Sequence, residues 1–142
     1  ANQGVPVWVD DGKKGNYSAG HASAGYDVFV SIHHNAVAGN AQGAEAFSHA
    51  GKGTQADAAL AKAAAATMAT ELGIRDRGAK LASHGVTSGA RDAGVRAAIL
   101  AEVYFMQDQS PPNPPASEFQ DWSRRGGEAL GRAIHDWLIA NA

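Results

Sequence analysis

Cysteine is absent from the 142-residue sequence, so thiol nucleophiles, disulfides and thiolate metal sites are excluded, and His, Asp and Glu remain as the available metal ligands. The absence fits either side of a membrane. A basic stripe is also missing. The 12 Lys and Arg against 14 Asp and Glu give a formal net charge of -2, and the cations are scattered rather than gathered along a face that could track a phosphate backbone. Nucleic acid is therefore not an expected partner. No apolar run approaches the roughly 18 residues needed to span a bilayer, and no charged-then-apolar leader opens the sequence. The expectation is a soluble mature protein without membrane insertion. The 17 glycines follow no fixed period, which argues against a repeat architecture. Hydrophobic residues make up 44% of the chain, enough for one core, and the length suits a single domain over residues 1–142.

What is present alternates between strand and helix signals. Val5 to Val9 is a short apolar run closed by Asp10, Asp11 and Gly12, and it reads as a strand whose Pro6 suits an edge or a start. Ser18 to Ala24 is a weak helix candidate. Tyr26 to His33 is the clearest strand, apolar on both faces as in a buried parallel sheet. Thr54 to Leu72 is strongly helix-forming, with Thr54 and Asp57 at its start and Gly73 just past its end. Ala97 to Ala101 forms a second buried apolar run that leads into Glu102, Val103, Tyr104 and Phe105. A loop ending in Pro111 to Pro115 follows. Ser117 to Ile139 carries Phe119, Trp122, Leu130, Ile134 and Trp137 at helical spacing, with Ser117 and Gln120 as a capping box. The pattern predicts an α/β fold with a central, mostly parallel sheet and helices on both faces.

In such sheets ligands gather outside the carboxyl ends of the strands, which directs attention to His33 and Glu102, each ending an apolar run. Period-two alternation puts His33 on the face of Phe29 and Ser31 and turns His34 to the other. A strand-end histidine is commonly a hydrogen-bonded structural residue, and a lone glutamate is commonly solvated. By residue type alone, both readings stay open. The chemistry that would join the two is a metal-activated water with a carboxylate to accept its proton. His21, His49, His84 and His135 show no ligand spacing and read as surface histidines.

The segment Asp27 to Ala36, DVFVSIHHNA, closely resembles the "adlfvSIHaNA" signature of the zinc-dependent N-acetylmuramoyl-L-alanine amidases of the amidase-3 type, found in cell-wall hydrolases and phage endolysins. Gly43 to Phe47 is similar to that family's "GxEty" strand, Arg77-Gly78 to its "nRG" step, and Ala98 to Phe105 to its "avLvExGF". Tyr104 stands where the family usually has Gly. The resemblance implies one Zn2+ ion with His33 as a ligand, Glu102 as the catalytic carboxylate, and peptidoglycan as the partner. The reaction implied is hydrolysis of the amide joining N-acetylmuramic acid to L-alanine. It also implies a secreted, periplasmic or cell-wall location, or release at phage lysis. The family's first strand, with its "GHGG" ligand, and the helix after it have no counterpart here. The remaining zinc ligands are expected upstream of Ala1. Two other readings share the fold: a non-catalytic peptidoglycan-binding or regulatory module, and a zinc peptidase cutting within the stem peptide.

Overall fold

The computed structural model describes residues 13–37, 41–106 and 114–142, together with Val9. Most of the strand expected over Val5 to Val9 lies outside these residues, as do Pro111 and Pro112 of the expected loop. The order of elements is α1 (Asn16–His21), β1 (Val28–Ala36), β2 (Ala44–His49), α2 (Gln55–Leu72), β3 (Asp76–Ala82), α3 (Gly85–Asp92), β4 (Ala97–Met106) and α4 (Phe119–Ala140), with a single turn of 3-10 helix over Ala116–Glu118 before α4.

The four described strands form one sheet in the order β1-β4-β2-β3. Pairs β1/β4 and β2/β3 are parallel, while β2/β4 is antiparallel. The alternation of β4 explains why both faces are covered. Ala97, Ile99, Ala101 and Val103 enter the main core with Leu60, Ala64 and Met68 of α2 and Leu130 of α4, whereas Ala98 joins Ala90, Val95 and Phe29 beside α3. The α/β expectation therefore holds, with α2 and α4 on one face and α3, backed by α1, on the other.

Helix α2 begins and ends where its residues direct. Thr54 accepts from the Asp57 amide, Asp57 accepts from the Thr54 amide, and Gly73 closes the helix at φ 64°, a left-handed conformation that glycine adopts without a side-chain penalty. Asp57 does more than cap. Fully buried, it accepts from the Thr54 amide at 2.7 Å, from the Ala98 amide at 2.8 Å and from Arg91 Nη1 at 3.3 Å. One carboxylate thus joins the starts of α2 and β4 to α3.

Several expectations need correction. β1 runs to Ala36 and stands at the end of the described sheet, with Ile32 59% exposed, so it is not buried on both faces and His33 is not its terminal residue. Glu102 is likewise inside β4, which continues to Met106. The helix expected from Ser117 starts at Phe119, and its N-cap, Glu118, makes no side-chain capping bond. The weak helix is α1, two residues earlier than expected. Strand β3 and helix α3 had no sequence-level assignment. β3 alternates half-buried and exposed residues with no apolar run, and α3 carries two glycines because α1 crosses it closely. A Cβ on Gly89 would lie 2.1 Å from the Tyr17 carbonyl oxygen.

Two outcomes follow for stability. Asp57→Ala leaves Arg91 without its partner and the buried Ala98 amide without its acceptor, and should cost about 3 kcal/mol, read as a lower denaturant midpoint at unchanged slope. The neighbouring glycines of α4 should respond with opposite signs. A Cβ on Gly126 would sit 2.2 Å from Val103 Cγ1 while one on Gly127 meets nothing within 4 Å, so Gly126→Ala should destabilise and Gly127→Ala should stabilise by about 0.5–1 kcal/mol, both measurable by thermal unfolding.

Candidate active site

Three strands meet at Glu102. His33 on β1 is its register partner on one side and Glu45 on β2 is its partner on the other. Residues opposed in this way share a face of the sheet, with Cβ atoms typically about 5 Å apart. That face is the one α3 only partly covers. His33 is exposed, and its Nε2 lies 2.8 Å from the Ser31 hydroxyl. After His33 the register with β4 shifts, so that Asn35 pairs with Phe105. The irregularity lets Asn35 donate to Glu45 Oε1 at 2.9 Å across the sheet.

The two carboxylates stand in opposite environments. Glu45 is 3% exposed and is held by Arg77 Nε at 2.7 Å and by Lys80 Nζ, both on Oε2. Burial pushes its carboxyl up, but the hydrogen bonds and charges of Lys80 and Arg77 outweigh this and hold it below the usual value. Arg77 also lies over the Phe105 ring, 4.8 Å from its centroid. Glu102 has no such cation. Burial, followed by the neighbouring negative charge of Glu45, pushes its carboxyl up to about 7, and its Oε2 is buried without a hydrogen-bond partner among the described residues. A carboxyl in this state can hold or release a proton near neutrality, as general acid–base work requires.

The histidines divide as follows. His34 turns to the opposite face, where its Nε2 lies 3.2 Å from the Ser123 hydroxyl of α4 and its ring 4.5 Å from that of Tyr104. Ser123 in turn is 2.9 Å from the Tyr104 hydroxyl. Burial, then the charge of His33, lowers the pKa of His34. Tyr104 is fully buried on that side, so it fills space behind the sheet rather than beside Glu102. His84 corrects the surface reading. It is half-buried at the N-cap of α3, edge-on to the Phe47 ring at 5.4 Å, with Nε2 buried and unpartnered among the described residues. His21 and His135 are exposed, and the half-buried His49 uses Nδ1 to accept the Gly51 and Lys52 amides.

Sequence reasoning gave Glu45 no role, read His84 as a surface histidine and did not reach Lys80. A matched glutamate in a "GxEty"-like strand was the only available signal for the first, and an unread strand and helix hid the other two. Among the described residues no group of three or more His, Cys, Asp or Glu could hold a metal ion. A catalytic zinc takes about three protein donors, so the described residues do not by themselves fit the ion implied by the resemblance. No helix among them is long and apolar enough to cross a membrane.

Comparison with known proteins gives this site a family. The chain superposes on the N-acetylmuramoyl-L-alanine amidase of Clostridium difficile 630 with a TM-score of 0.66 and 25% identity, covering 89% of this chain and 64% of that one. The amidase AmiC2 of Nostoc punctiforme gives a TM-score of 0.59 and 26% identity over 80% of this chain and 58% of that one. The catalytic domain of CwlV, the amidase of Bacillus (Paenibacillus) polymyxa var. colistinus, shares the fold at 24% identity and a TM-score of 0.58, with 80% of this chain and 58% of that one covered. The chain thus spans less than two thirds of the length of these structures. No curated protein matches it. The family described as N-acetylmuramoyl-L-alanine amidase matches residues 12–113, a stretch that holds β1 to β4 with His33, Glu45 and Glu102, and the chain belongs to that family.

Proposed function

We propose that this chain forms the catalytic groove of a peptidoglycan hydrolase, as one domain, acting on the amide between N-acetylmuramic acid and L-alanine. The observation that carries the reading is the state of Glu102, a half-buried carboxyl with one oxygen buried and unpartnered among the described residues, beside His33 and Glu45 in a member of the amidase family. Unpartnered buried polar atoms are costly. One at the centre of an open sheet face points to use by a substrate.

In the reaction, Glu102 takes a proton from water as the oxygen bonds to the lactyl carbonyl carbon. It then gives that proton to the L-alanine nitrogen as the carbon–nitrogen bond breaks. The products are a free lactyl carboxylate and a free amino terminus. Glu45 stays ionised and keeps Arg77, Lys80 and Asn35 in place. These two cations against one carboxylate leave a surplus of one positive charge at that end of the groove, suited to a carboxylate-bearing stem peptide. Zinc dependence belongs to this reading, with His33 as one donor, and it requires donors beyond the described residues. A cell-wall or extracellular site of action goes with the substrate. The limited donor set is also the observation that favours a second reading, a wall-binding module without turnover.

Purified protein on dye-labelled peptidoglycan separates these. Release of dye with new amino termini on L-alanine, abolished by chelator and restored by zinc, is the expected result, and Glu102→Gln should lower it about 10²–10⁴-fold with wall binding retained. Binding without release in the wild-type protein would instead favour the module, and new termini on other stem residues would favour a peptidase. The paired Glu45 gives a second outcome. Its folded-state pKa is depressed, so its contribution to stability is complete above its ordinary value of 4.5 and fades as pH falls through the lower folded value. Glu45→Gln should therefore lower the melting temperature at pH 7, and the gap to wild type should narrow below about pH 4.5.

A further inference from the structure

Two side-chain atoms among the described residues are buried without a hydrogen-bond partner: Glu102 Oε2, already placed in the groove, and His84 Nε2. They belong to one neighbourhood. His84 packs edge-on against Phe47, 5.4 Å between ring centroids. Phe47 is the register partner of Leu100, as Glu45 two residues before it is of Glu102 two residues after Leu100. All four strand residues therefore lie on one face, with Phe47 and Leu100 one pleat step along it from Glu102, and the imidazole packs on the Phe47 ring at that face. The position is fixed by the backbone. The His84 carbonyl accepts from the Thr87 hydroxyl and the Ser88 amide, each at 3.0 Å, so the backbone that carries the ring is held at the start of α3, and the ring itself rests on Phe47.

The surroundings specify what the ring can bind. Burial first, then the charges of His33 and His49, lower its pKa, and a neutral imidazole offers one N–H and one lone pair. Such a ring suits a neutral polar group, and the Phe47 face beside it suits a small apolar side chain. A peptide amide flanked by a methyl group meets both demands. An orphaned buried nitrogen costs stability, which a purely packing residue such as leucine would avoid at this position.

We propose that His84 is a substrate-positioning residue whose Nε2 hydrogen-bonds an amide group of the stem peptide, next to the bond that lies over Glu102. The proposal rests on the amidase reading of the groove. It assigns α3, through its N-cap, to substrate recognition, and it makes the histidine rather than the helix the recognising element.

The test is titration of the protein, labelled with ¹⁵N-histidine, with N-acetylmuramoyl-L-alanyl-D-isoglutamine, following the imidazole nitrogens and the backbone amides by NMR. The His84 Nε2 resonance should move saturably with ligand. Its loss in His84→Leu should weaken binding about fivefold to tenfold, the worth of one neutral hydrogen bond, while His84→Gln, which keeps a donor at similar reach, should bind within about threefold of wild type. Movement of the Phe47 and Glu102 amides with a stationary His84 Nε2 would overturn the proposal and leave the groove reading intact. So would wild-type affinity in a folded His84→Leu. No movement anywhere at millimolar ligand would sink the groove reading, and this proposal with it. Should His84→Leu fail to fold, the wild-type imidazole titration decides alone.

Discussion

The buried carboxylate of Asp57 is the constraint on which the arrangement depends. It satisfies the Thr54 amide at the start of α2, the Ala98 amide at the start of β4 and the guanidinium of Arg91 in α3. A charge taken this far from water is tolerated only when its oxygens are fully bonded. Those bonds fix where α2 and α3 meet β4. Once the beginning of β4 is set, its pairing with β1 from Ala97 onward brings Glu102 level with His33, and its pairing with β2 brings Glu102 level with Glu45. A structural carboxylate at one end of the strand thereby controls the surroundings of the raised carboxyl further along it.

The contrast between Glu45 and Glu102 is the electrostatic content of the site. They occupy opposed positions on adjacent strands, yet both cations and the Asn35 amide go to Glu45. The consequence is a division of labour. Glu45 is committed to charge and to holding side chains, while burial and the proximity of that fixed negative charge hold Glu102 near the point where it can exchange a proton at neutral pH. Were the cations shared equally, neither carboxyl would be suited to proton transfer. The asymmetry arises from β3, which carries Arg77 and Lys80 and pairs with β2, the strand of Glu45, rather than with β4.

How much of this could be read from the sequence follows from how local each determinant is. Helix α2 was legible to the residue at its start because Thr54, Asp57 and Gly73 act on their own neighbours. The apolar runs ending at His33 and Glu102 located two strands, but not their true ends, since β1 and β4 continue through residues whose partners are on another strand. Strand β3 escaped because half-buried alternation without an apolar run is a weak signal. Helix α3 escaped because its glycines, which look like helix breakers, are there for the close crossing of α1. With them went Lys80, which had no reading, and the true setting of His84, which read as a surface histidine and is half-buried at the N-cap of α3. The position of Tyr104 has the same lesson: its ring lies on the α4 side of the sheet with His34 and Ser123, because a register shift after Glu102 overrides the simple alternation that would have put it beside the carboxylate.

The face carrying Glu102 is unusual in the kind of cost it bears. The α2/α4 face is closed by aliphatic packing from Leu60, Met68, Ile99 and Leu130, and two of its polar groups, the Tyr104 hydroxyl and the half-buried His34, are hydrogen-bonded through Ser123. The opposite face keeps two buried atoms unpartnered among the described residues, a half-buried histidine and a raised carboxyl. Folding alone gives no reason for such an imbalance, because an aliphatic residue at either position would pack without the penalty. Polar atoms kept unsatisfied on one side of a sheet, when the other side shows that this chain can satisfy its polar groups, are most simply explained by a ligand that supplies the missing bonds. That argument uses only burial and hydrogen bonding, so it supports recognition of a polar substrate on this face independently of the family to which the chain belongs.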